Sequence, residues 1–145
     1  GLHYELQTPY WHLYEAAELA RDYPHIDIVL NHTGLPADRS EAGLKSWRDA
    51  MAAFAAQPNT RVKVSGLGQK GLPWTVEANR PVVLTTIELF GADRCMFASN
   101  YPVDSVCATF DTIFDGFKAI TAHLPEGDRR KLFRDNALRE YRIQL

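Results

Sequence analysis

The sequence predicts an α/β fold with parallel strands. Short apolar runs alternate four times with amphipathic helical stretches, and polar residues gather just after each run. Strand-then-helix units of this length place a crossover between strands, which makes neighbouring strands parallel. Composition agrees: of 145 residues, 46% are hydrophobic and 23% charged, the balance of a single globular domain over 1–145.

The first strand is expected over 2–7, where Leu2, Tyr4 and Leu6 alternate with His3, Glu5 and Gln7. Its helix follows Pro9, a residue suited to a first helical turn, and carries Leu13, Ala16, Ala17 and Ala20 as an apolar stripe. The second strand, 26–31, is nearly continuous in apolar residues, as a strand covered on both faces should be. After a loop over 32–39, Ser40 reads as the N-cap of a helix with Leu44, Trp47, Met51 and Phe54 along one face. Trp47 therefore belongs to the core.

The third strand, 61–65, runs into a loop containing Gly66, Gly68, Gly71 and Pro73, which lacks any phosphate-loop or dinucleotide fingerprint. A helix over 82–90 stops at Gly91. The fourth strand, 95–99, leads to Asn100-Tyr101-Pro102. Ser105 is expected to open the next helix, with Phe110, Ile113, Phe114, Phe117 and Ile120 facing the core. A basic helix over 128–141 closes the pattern, and its Arg129, Arg130 and Lys131 read as a solvated face.

Composition also narrows function. Lys and Arg total 16 against 18 Asp and Glu, a net charge of −2, so no basic excess favours nucleic acid. No apolar run reaches the length of a membrane span and no leader precedes the fold, so a cytoplasmic location is expected. Cys95 and Cys107 are too few for a disulfide framework and read as inert thiols. The first residue is Gly1 rather than Met, which suggests a trimmed or partial chain.

In parallel α/β folds, ligands sit at the carboxyl ends of the strands. Gln7, Asn31-His32, Ser65 and Ser99-Asn100 all fall there. Short polar residues also make good turns and caps, which is the structural alternative.

Four stretches resemble the amidohydrolase-related TIM-barrel hydrolases, in particular their sugar-lactone and pyrone-dicarboxylate lactonase-like branch. They are Ile28-Val29-Leu30-Asn31-His32-Thr33-Gly34-Leu35-Pro36, Val62-Lys63-Val64-Ser65-Gly66-Leu67, Arg94-Cys95-Met96-Phe97-Ala98-Ser99-Asn100-Tyr101-Pro102-Val103-Asp104, and Asn136-Ala137-Leu138. The resemblance implies parallel βα units forming the carboxyl-terminal half of a (β/α)8 TIM barrel. It implies hydrolysis of a cyclic ester or amide of a small anionic or sugar-derived molecule. Some members use a divalent metal such as Zn or Mn and others none.

His32 matches the fifth-strand His of that family, a metal ligand or carbonyl-polarising group. Asn100 stands where the family has an Asp, and the family's His-x-His pair is absent from this sequence. A carboxamide is a poor base, so Asn100 is expected to hold a carbonyl or water, with Asp104 as the nearest substitute carboxylate or a helix-capping residue. Lys63 and Ser65 share a strand face. Lys63 either binds a substrate anion from the interior or faces water at an edge, while Gln7, Ser65, Trp74 and Tyr101 are further candidate substrate contacts.

Four strands cannot close a barrel, so the expected partner is a second copy or a separate amino-terminal half-barrel. Two other readings stay open: a catalytically degenerate half-barrel acting as a binding module, and an open flavodoxin-like sheet.

Overall fold

Every residue of β2 (Ile28–Leu30) is buried because the strand has neighbours on both sides and helices above it. The computed structural model describes residues 2–145 and shows one four-stranded sheet in the order β1-β2-β3-β4, all parallel. β1 is Tyr4–Leu6, β3 Thr60–Val64 and β4 Cys95–Phe97. The helices between them are α1 (Leu13–Asp22), α2 (Glu41–Ala55) and α3 (Val76–Phe90), and α4 (Phe110–Ile120) follows β4. Strand order without reversal leaves no switch point, which separates this sheet from a flavodoxin-like one. The wall is half of a (β/α)8 barrel.

Period-two alternation sorts the sheet into two faces. Ile28, Leu30, Val62, Val64, Cys95 and Phe97 point to the helices and meet Leu13, Trp47, Met51, Phe54, Val82 and Phe117. Phe97 stacks on Phe117 at 4.3 Å between ring centres. Each such side chain, fully buried, contributes about 1.5–3 kcal/mol. Glu5, Val29, Arg61, Lys63 and Met96 occupy the opposite face.

Several boundaries differ from expectation. β1 is short, and Leu2 is 95% exposed, because the strand lies at the sheet edge with one neighbour. α3 begins six residues early, capped by Thr75 Oγ1, which accepts from Ala78 N at 3.2 Å. Pro81 sits inside it and masks its first turns in the sequence. Ser105 lies in a single 3-10 turn over Val103–Val106, and Thr109 caps α4 instead, accepting from Thr112 N at 3.1 Å. Phe110 is consequently half-exposed rather than core.

The last helical stretch, α5 (Glu126–Arg130) and α6 (Asn136–Glu140), is joined by a π turn over Lys131–Asp135. Two of its three basic residues form ion pairs on the solvated face, Arg130 with Asp135 at 2.7 Å and Lys131 with Asp93 at 3.0 Å. Asn136 Nδ2 donates to the carbonyls of Ala92 and Cys95, so this stretch passes beneath β4. Tyr141 then reaches the helix-free face of the sheet, donating to Glu5 and lying edge-on to His3 with ring centres 5.1 Å apart. Among the described residues, no helix is long and apolar enough to cross a membrane.

Candidate active site

At the carboxyl ends of the strands the backbone is bent into conformations that side chains rarely adopt. His32, Thr33 and Leu35 after β2, and Asn100 after β4, have φ of 55–56°, and Gly66 after β3 has φ of 62°. Each such non-glycine residue costs about 1–3 kcal/mol, and clusters of them mark functional sites. Gly66 is required here twice over: a Cβ there would sit 2.7 Å from the Cβ of His32.

His32 Nδ1 lies 3.0 Å from Ser65 Oγ, and its Nε2 has no protein partner among the described residues. Thr33 locks the same two strand ends together. Its Oγ1 donates to Ser65 O at 3.1 Å and accepts from Ser65 N at 3.3 Å. Burial pushes the His32 pKa down, the Asp104 carboxylate pulls it back up and Lys63 lowers it further, with a net decrease. The imidazole is therefore neutral near pH 7.

Asp104 is only 6% exposed. It accepts from Asn100 Nδ2 at 2.9 Å and from Gly68 N at 3.4 Å, and its own N–H donates to Asn100 O at 3.0 Å. The turn thus brings Asn100 and Asp104 into one unit and aims the carboxylate's field at His32. Asp104 does not cap a helix, since the helix expected there starts at Phe110.

On the helix-free face, Lys63 Nζ pairs with Glu5 Oε2 at 2.8 Å and lies 5.0 Å from the centre of the Tyr141 ring. This is the interior alternative, with the charge already answered. Burial pushes the Glu5 pKa up, but bonds from Lys63, Tyr141 and Asn31 outweigh it and hold the carboxyl below its ordinary value. Glu5 was missed from sequence because its ion pair with Lys63 spans 58 residues; only their shared alternation phase hinted at it.

Gln7 is exposed just beyond β1, and Tyr101 is half-exposed beside Asn100, its ring edge-on to Phe110. Trp74 is elsewhere. It is 6% exposed on the helix side, edge-on to Phe117 and packed over Gly116, so it braces α4 instead of walling the site. Cys95 is buried, and burial raises its thiol pKa far above the ordinary range. Cys107 Sγ donates to Gln69 O.

Residues 1–143 match the sequence model of the amidohydrolase family. The chain belongs to that family. It is 46% identical over 143 residues to the uncharacterized protein y4mH of Sinorhizobium fredii, covering 99% of the chain and 48% of the relative. It is 35% identical over 103 residues to an L-fucono-1,5-lactonase of Burkholderia ambifaria, covering 68% of the chain and 34% of that enzyme. The crystal structure of an amidohydrolase from Burkholderia multivorans with bound HEPES superposes with a TM-score of 0.87 at 25% identity. That match covers 97% of this chain and 53% of the other. The chain spans about half the length of the Sinorhizobium fredii relative and of this Burkholderia multivorans structure.

A zinc-bound crystal form of the Burkholderia multivorans protein shares the fold at 24% identity, with a TM-score of 0.86. The described residues of this chain do not by themselves fit a metal. No group of three or more His, Cys, Asp or Glu is placed to hold one among the described residues. Asp104 has both oxygens engaged, and Asn100 offers a neutral amide. His32 is one ligand, and one ligand holds an ion poorly.

Proposed function

We propose that this chain forms the carboxyl-terminal half of a lactonase-type active site for a small molecule. The observation that supports it best is a neutral imidazole whose Nε2 has no partner among the described residues, set at the strand ends beside a buried carboxylate. His32 Nε2 takes a proton from water as its oxygen attacks the lactone carbonyl carbon. The carbonyl π electrons move to oxygen, and the second Nδ2 hydrogen of Asn100 donates to that oxyanion. When the oxyanion collapses, the ring C–O bond breaks and His32 returns the proton to the departing alkoxide. Asp104 stabilises the transient imidazolium, and Ser65 orients the ring, as positioned partners of a general base do. Gln7 and Tyr101 contact the substrate at the mouth, and the β1 edge is covered by a second copy or a separate amino-terminal half-barrel.

The test is hydrolysis of a panel of aldonolactones by the purified protein, followed with a pH indicator, with and without added Zn2+ or Mn2+. His32→Asn should lower kcat/KM by about 10²–10⁴-fold, the range a general base contributes. Hydrolysis that survives that substitution, or no hydrolysis at all, overturns the reading. One observation favours a second reading, a degenerate site acting as a binding module: the strand-end position holds a carboxamide. A gain of activity in Asn100→Asp supports the degenerate site.

A further inference from the structure

Beside His32 lies a cleft of about 320 Å3, floored by Gly66 and Gly68 and walled by Arg39, Gln69, Lys70 and Leu72. The two glycines are shared with the site. One touches His32, and a Cβ on the other would lie 3.2 Å from the Asp104 carboxyl carbon. Arg39 is partly buried, yet its guanidinium reaches only Leu67 O and Asn79 Oδ1 at 3.4 Å and Ala78 O at 3.5 Å. These are at the outer limit for hydrogen bonds. Its Nε is buried without a partner, and no carboxylate among the described residues pairs with it.

Arg94 shows what a structural arginine looks like in this fold. It too lacks a carboxylate, but it donates to Phe90 O and Ala55 O at 2.9 Å and to Gln57 O at 3.0 Å. Asp38, next to Arg39 in sequence, is committed to Ser40 N at 2.9 Å. Lys63, the cation expected to hold a substrate anion, is neutralised by Glu5. A buried guanidinium left short of acceptors is costly, and a planar carboxylate supplies two oxygens in the geometry it prefers.

Resting on the lactonase-type reading, we infer that Arg39, with Lys70 beside it, receives a carboxylate that the substrate carries away from its scissile carbonyl. The substrate class is thereby a lactone acid rather than a neutral sugar lactone.

Glutarate, and glutaramide as its neutral counterpart, are titrated into the protein while the Arg39 Nε–H resonance and the heat of binding are followed. Glutarate should bind saturably and shift that resonance, and glutaramide should not. Arg39→Gln should weaken glutarate by about 10- to 100-fold, as loss of a charged hydrogen-bonding group does. Arg39→Lys should fall between, and Arg21→Gln on the far surface should match the wild type. Equal binding by Arg39→Gln, equal binding of glutaramide, or no saturable shift in the wild type overturns the inference. The last readout needs no variant, so a misfolded Arg39→Gln cannot mask the answer. Wild-type protein that hydrolyses neutral lactones and ignores glutarate keeps the lactonase reading and removes the Arg39 subsite.

Discussion

His32 is tuned by opposing influences: burial and Lys63 disfavour its cation, and Asp104 favours it. The net lowering sets a direction that kinetics can read. A general base must be unprotonated, so activity falls as pH drops through the His32 pKa in the folded protein. The acid limb of kcat/KM should lie below the ordinary value of 6.5, and Asp104→Asn, which removes the favouring charge, should move it lower still. A limb at or above 6.5 contradicts this. The same shift works on stability. The unfolded chain takes up this proton near 6.5 while the folded one resists, so His32's contribution is full above 6.5. It is lost as pH falls toward the folded pKa. At this scale, His32 and Asn100 were legible as candidates because polar residues at the ends of apolar strands stand out, and Asp104 as the nearest carboxylate to Asn100. Arg39 was not, since its shortage of acceptors exists only once Leu67 and Asn79 are folded around it.

Helices whose apolar stripe was unbroken could be read directly. Leu13, Ala16, Ala17 and Ala20 are all buried in α1, and Ser40 does cap α2, accepting from Gly43 N at 3.1 Å. Errors arose where one local signal outweighed the periodic one. The turns of α3 before Pro81 carry a helical pattern that the proline interrupts, and Ser105, following Asp104, imitated a cap four residues before the true one. Thr75 and Thr109 make matching cap bonds at 3.2 and 3.1 Å. Replacing either by Ala should destabilise the fold by about 1 kcal/mol, measured by urea unfolding. Ser105→Ala, in contrast, should leave stability within about 0.5 kcal/mol, the usual range for surface changes. Equal losses for Ser105 and Thr109 would return the helix start to its sequence-predicted place.

Across the whole molecule, the sheet has two edges, and the β1 edge is bordered by an apolar groove of about 310 Å3. Tyr4, Leu19, Tyr23, Ile26 and Ile28 line it, and Tyr4 is 50% exposed. An open strand edge beside apolar surface is a pairing site. Sedimentation of the purified 145-residue chain should therefore give a species larger than one chain, or one that retains a separate half-barrel; a clean monomer counts against both partners proposed above. The open edge follows from the strand count alone, but which residues it leaves bare depends on how α1 lies across β1. The meeting of His3 with Tyr141 has a practical consequence. Both ends of the described chain lie near the amino-terminal ends of the strands, away from His32. A tether joined beside His3 or Tyr141 would hold this half-barrel to a solid support with the mouth of its site turned toward the solution.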